Sequence, residues 1–82
     1  MAVRGYVLIE TDVGKAKAVG AAISEFTYPG ARVVVVDTVT GPYDVIARAE
    51  ASSVDELGKM VVSRVQMIDG ITRTLTCPVV HL

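Results

Sequence analysis

The sequence predicts an α+β fold in which strands and helices follow the order βαββαβ. Two segments, residues 13–26 and 54–66, repeat apolar residues at the three- and four-residue spacing of an amphipathic helix. Four further segments are rich in β-branched residues, which is typical of strands: residues 2–11, 32–39, 44–51 and 71–80. Glycine, proline and aspartate separate the segments, as expected at turns.

The first strand ends at Asp12, which we expect to cap the helix that follows. The apolar stripe of that helix is Val13, Ala16, Val19, Ile23 and Phe26. Gly14 and Gly20 each weaken a helix by roughly 1 kcal/mol relative to alanine, so packing must hold this one. The segment Tyr28-Pro29-Gly30 is predicted to end it.

The second and third strands form a hairpin around Thr40-Gly41-Pro42-Tyr43. Ser53 and Glu56 then have the spacing of a capping box, which predicts a second helix from Val54 to Gln66. Asp69-Gly70 breaks the chain before the last strand, Ile71 to Val80.

This order is the ferredoxin-like arrangement, in which both helices cover one face of a four-stranded antiparallel sheet. The other face stays open. Strict alternation of Val33-Val34-Val35-Val36 points two valines at each face, and Tyr6, Leu8 and Ile46 add to the open one. Each valine buried there contributes about 1.5 kcal/mol or more. We therefore expect a dimer that packs face to face, a dimeric α+β barrel.

Length and composition limit the function. The 82 residues fit one domain, residues 1–82, and 51% of them are hydrophobic. A net charge of −1 lacks the basic field that direct nucleic-acid binding needs. The single cysteine excludes an internal disulfide and a thiolate metal cluster. Because there is neither a membrane-length apolar run nor a signal segment, we expect a soluble cytoplasmic protein.

The hairpin turn is the first candidate binding site. Gly41 permits an unusual backbone, Tyr43 can pack on a ligand, and Asp44 can pair with an ammonium group. Backbone N–H groups of the bend can bind a carboxylate, and together these features suit an amino acid. The alternative is an ordinary turn in which Asp44 caps nearby backbone groups and Tyr43 covers the edge of the core.

Thr74 and Thr76 form the second candidate, since two hydroxyls on one face of a strand can hydrogen-bond a carboxylate. The alternative is that they are ordinary sheet residues. No catalytic residue, metal site or cofactor is predicted, because His81 lies at the tail and Cys77 lacks a histidine at motif spacing. A small dimeric α+β barrel enzyme, similar to monooxygenases or isomerases, stays as an alternative to a binding module.

Three segments, taken in order, resemble a known family: Val39-Thr40-Gly41-Pro42-Tyr43-Asp44-Val45-Ile46, then Ser53-Val54-Asp55-Glu56-Leu57, then Ile68-Asp69-Gly70-Ile71-Thr72-Arg73-Thr74-Leu75-Thr76. They are similar to the effector domain of the Lrp/AsnC family of feast/famine regulators. The resemblance extends over nearly the whole chain.

The resemblance implies dimers that join into octameric or decameric discs and bind amino acids between dimers. It implies ligand contacts from the turn and the last strand, at Gly41, Tyr43, Asp44, Thr74 and Thr76. Pro42 removes one backbone N–H from the turn. Family regulators carry an N-terminal helix-turn-helix, whereas this sequence begins at the first strand and so resembles stand-alone effector domains. The expected partners are further copies, an amino acid and a full-length regulator.

Overall fold

The computed structural model describes residues 2–82 and confirms the α+β, ferredoxin-like fold. The elements in chain order are β1 (Val3–Thr11), α1 (Ala16–Ser24), β2 (Thr27–Tyr28), β3 (Ala31–Thr38), β4 (Val45–Ala51), α2 (Val54–Ser63), a 3-10 turn (Val65–Met67) and β5 (Ile71–Pro78). The strands form one antiparallel sheet in the order β2-β3-β4-β1-β5. Strand β1 therefore lies between β4 and β5.

Both helices pack on the same face of the sheet. Val19 and Ile23 of α1 and Val61 of α2 join Val7 and Ile9 of β1 in one buried cluster. A second cluster surrounds Leu57 and Met60 of α2. The alternation of a half-buried strand is regular in β1, where residues 5, 7 and 9 are buried and residues 4 and 6 are exposed.

The sequence predicted a four-stranded sheet, but the sheet has five strands. The additional strand is β2. Thr27 and Tyr28 pair with Arg32 and Ala31 at the start of β3. Gly30, with φ +86°, makes the tight return possible. A strand of two residues is too short to produce an alternating pattern, so the sequence indicated only a break there.

The predicted start of α1 is also wrong. The helix begins at Ala16, and no side chain caps it. Asp12 and Val13 belong to the preceding turn, where Val13 is fully exposed and Gly14 has φ +79°. At α2 the predicted cap is confirmed, since the Ser53 side chain accepts a hydrogen bond of 3.1 Å from the Glu56 N–H.

The valine run departs from strict alternation. A bulge at Val34 shifts the register between Val33 and Val35. As a result Val33 and Val36 both pack against the core, while Val35 pairs with Arg48 and is 41% exposed. The face opposite the helices consequently receives Val35 from this strand, beside Tyr6 and Ile46.

Candidate functional site

The sheet order brings the two predicted candidates to the same end of the fold. Val45, the first residue of β4, and Thr74 of β5 both pair with Ile9 of β1, from opposite sides. Only β1 therefore separates the turn that precedes β4 from the first half of β5. Neighbouring strands lie about 4.8 Å apart, so the two candidates are close in space. The candidate site is therefore the end of the sheet where β1 finishes.

Asp44 fastens the hairpin turn to the end of β1. Its Oδ2 accepts hydrogen bonds from the Thr11 N–H at 2.8 Å and the Thr11 hydroxyl at 3.3 Å. Its own N–H donates to the Ile9 carbonyl at 2.9 Å, and its carbonyl accepts from the Val39 N–H. Asp44 thus has the backbone-capping role that the sequence left as an alternative to ligand binding. Its Oδ1 makes no hydrogen bond to any described residue.

Tyr43 connects the turn to the last strand. An Arg73 Nη2 donates a hydrogen bond of 2.7 Å to the Tyr43 hydroxyl, and the guanidinium carbon lies 5.5 Å from the centre of the ring. This hydrogen bond, together with the nearby Glu10 carboxylate, raises the pKa of Arg73 further above its ordinary value. Like any arginine guanidinium, it is cationic throughout the neutral pH range.

Arg73 is a candidate site residue that reasoning from the sequence did not single out. It stood within the Arg-Thr-x-Thr pattern of the last strand, but only the threonines were taken as candidates. The available signal was its alternation with them, which puts Arg73 opposite Glu10 on the face away from the helices.

The two threonines lie on the helix-facing side of β5, opposite Ile9 and Val7. Thr74 accepts a hydrogen bond of 2.9 Å from the Gln66 side chain. A groove of about 370 Å³ follows the edge of β5 and is lined by Gln66, Ile71, Thr72, Arg73 and Thr74. Thr76 and Gly41 do not line this groove. At Gly41 the backbone has φ +143°, a conformation that favours glycine.

A larger groove, of about 560 Å³, lies at the opposite end of the sheet. Its charged groups, Arg32 and Glu50, already satisfy each other through an ion pair of 3.1 Å. The groove along β5 has the stronger claim as a binding site, because its Arg73 is exposed and bonds only a neutral hydroxyl.

The remaining reactive side chains are scattered. His81 is exposed near the C-terminus, and Cys77 is a half-buried free thiol. Within residues 2–82 no three metal-binding side chains cluster around a common point. Neither helix in that range has the length and apolar character needed to cross a membrane.

Comparison with known proteins identifies the class of this small ferredoxin-like domain. Residues 4–81 match the family model of the Lrp/AsnC ligand binding domain. The chain therefore belongs to the Lrp/AsnC ligand-binding-domain family, whose role is regulatory and not enzymatic.

Solved structures agree with this assignment. The crystal structure of TTHA0845 from Thermus thermophilus is 32% identical, with a TM-score of 0.85 over 98% of this chain and 95% of that one. AsnC of E. coli is 21% identical, with a TM-score of 0.84, over 98% of this chain and 52% of its own. The regulator NMB0573 of Neisseria meningitidis, in complex with L-Met, is 15% identical, with a TM-score of 0.77 over 96% and 50%. This chain thus spans about half of AsnC and NMB0573, and no curated protein sequence matches it significantly.

Proposed function

We propose that this chain is a cytoplasmic regulatory module that binds an amino acid at the end of its sheet and assembles with copies of itself. The observation that carries the proposal is the contact between Tyr43 and Arg73, which joins the predicted turn to the predicted strand beside an open groove. Family membership supports ligand binding as the general role.

The groove supplies the groups that an amino acid needs. The cationic Arg73 suits a carboxylate, the Thr74 hydroxyl adds a hydrogen-bonding group on the other face of the same edge strand, and Ile71 offers apolar surface for a side chain. Asp44 precedes β4 on the other side of β1 and does not line this groove. A volume of about 370 Å³ is within the range of small-molecule pockets. The L-Met complex of NMB0573 makes methionine the first amino acid to test.

Self-assembly is proposed through the face of the sheet that carries no helix. Tyr6, Val35 and Leu75 are 42%, 41% and 47% exposed there, with Leu8 and Ile46 between them. An apolar patch of this kind marks an interaction surface in a soluble domain. We propose that dimers formed this way join into octamers or decamers, with the ligand groove near the contact between dimers. A full-length Lrp/AsnC regulator is the further partner of the proposal.

Replacing Arg73 with glutamine is expected to weaken amino-acid binding by at least about tenfold, since a hydrogen bond to a charged group contributes about 1.5–3 kcal/mol. Isothermal calorimetry with the twenty amino acids, methionine first, measures this. Because a guanidinium is protonated at every pH in this range, the contribution of Arg73 to binding is expected to be constant from about pH 6 to pH 9.

Arg64→Gln is the matched control, because Arg64 also lies over a tyrosine, 5.6 Å from the Tyr28 ring, at the opposite edge of the sheet. It should leave the affinity unchanged. If wild type and Arg73→Gln bound an amino acid equally strongly, the groove would not be the binding site. If no amino acid bound to the wild type, the proposal that the ligand is an amino acid would be wrong.

A further inference from the structure

Arg48 lies near the centre of the open face of the sheet. The register places it opposite Tyr6 of β1 on one side and Val35 of β3 on the other. Its Nε is buried and has no hydrogen-bond partner among the described residues. The side chain as a whole is only half-buried, so the terminal guanidinium nitrogens are the part that a group outside the chain can reach.

Asp37 is the carboxylate of this face that is free to be an acceptor for Arg48. It pairs with Ile46 across the β3–β4 ladder, and it lines a groove of about 210 Å³ together with Arg48. Neither side chain takes part in an ion pair within residues 2–82.

The other carboxylates on this face are engaged. Glu50 bonds Arg32 at 3.1 Å, and Glu10 accepts from the Thr72 hydroxyl at 3.3 Å. Arg48 and Asp37 are thus opposite charges that form no ion pair within residues 2–82 and share a groove with Tyr6, Val35 and Ile46.

A second copy of the chain is the occupant that fits both charges. Covering this face removes water from Arg48 and Asp37, and unpaired charges in such a place are strongly unfavourable. In a two-fold dimer any contact between residue i and residue j occurs twice, so one pairing satisfies both charges of both copies.

We propose that Arg48 of each copy pairs with Asp37 of the other copy across the sheet-to-sheet interface, and that this reciprocal pair selects the partner. The inference rests on the proposed dimer through the open face. The pair makes the interface specific for chains with the same two charges, because a partner that lacks them leaves a buried charge unpaired.

Two charge-reversal variants test the pair, Arg48→Asp in one chain and Asp37→Arg in another. Each variant alone places like charges opposite each other, and its homodimer dissociation constant is expected to rise at least about 30-fold. Mixed together, the two chains regain opposite charges at both contacts. Sedimentation equilibrium with one chain mass-tagged is expected to show a heterodimer with nearly wild-type affinity.

The mixture separates a pair between copies from a pair within one copy. If Arg48 bonded Asp37 of its own chain, that bond would stay broken in the heterodimer as in each homodimer, and mixing would not return the affinity to the wild-type value. The matched control is Lys17→Asp mixed with Glu25→Arg, two exposed positions of the α1 segment. It should show wild-type homodimers and no preference for the heterodimer.

Circular dichroism of each variant checks that the strands and helices are retained. A wild-type chain that dimerises while the mixed variants gain no affinity would overturn the pair and leave the sheet-face dimer standing. A wild-type chain that is monomeric at all concentrations would overturn the proposed dimer and the pair together.

Discussion

Replacing Tyr6 and Leu75 together with aspartate is expected to abolish the proposed dimer and leave a folded monomer. Tyr6 faces Cys77 and Leu75 faces Leu8 in the β1–β5 ladder, so both substituted positions lie on the open face. Two carboxylates from each copy would then be buried in an apolar interface without partners. Because the two side chains are 42% and 47% exposed in the protomer, the fold itself should lose little.

The dissociation constant of the dimer is expected to rise at least about 1,000-fold, equivalent to about 4 kcal/mol. Light scattering coupled to size-exclusion chromatography measures this. The double variant Val54→Asp/Val62→Asp is the control, because these α2 residues are 54% and 62% exposed on the other layer. It should dimerise as wild type does. A Tyr6/Leu75 variant with wild-type dimer affinity would contradict the sheet-face interface.

The largest effect on stability is expected from Leu57→Ala, which should lower the free energy of unfolding by about 2–5 kcal/mol. Leu57 is fully buried between α2 and the sheet. It also explains the glycine at position 5, since a Cβ added there would lie 2.6 Å from Leu57 Cδ2. Leu57 thus occupies the space that any other residue at position 5 would need.

This contact predicts coupling between the two positions. Gly5→Ala should lower the free energy of unfolding of the wild type by about 1–3 kcal/mol, through overpacking. In the Leu57→Ala background the same methyl group enters the vacated space, so the loss should shrink or disappear. Urea denaturation of the four proteins gives the coupling free energy, expected at about 0.5–3 kcal/mol.

Gly58→Ala is the control for the cycle, because a Cβ at Gly58 meets no atom within 4 Å. It should raise the free energy of unfolding by up to about 1 kcal/mol through helix propensity, and its effect should add to that of Leu57→Ala. If the changes in the free energy of unfolding caused by Gly5→Ala and Leu57→Ala were also additive, the side chain of Leu57 would not fill the space beside position 5.

The sequence predicted the long elements well, because each has a pattern that is repeated several times. Helix α2 shows its apolar stripe and its Ser53 cap, and β1 shows its alternation. The features that were missed are one or two residues long. They are the strand β2, the bulge at Val34 and the turn at Gly14 that delays α1, and each depends on tertiary pairing or on a single φ angle.

The candidate site was predictable only in part. The turn and the threonine strand were identified as candidates, but the contact that joins them, Arg73 to Tyr43, spans 30 positions, and the one that holds the turn to β1, Thr11 to Asp44, spans 33. Whether Arg73 meets Tyr43 depends on β1 lying between β4 and β5, which no local pattern encodes. For the same reason the sequence did not show that Asp44 is held by Thr11, or that Arg48 lacks a partner.

Native mass spectrometry of the wild-type chain, with and without an equimolar mixture of the twenty amino acids, tests most directly whether this protein is a self-assembling amino-acid-binding module. The chain has a mass of 8.7 kDa. We expect species with even numbers of chains, and in the mixture an added mass of one amino acid per chain, with methionine the first candidate. A monomer of 8.7 kDa that gains no mass in the mixture would contradict both parts of the proposal.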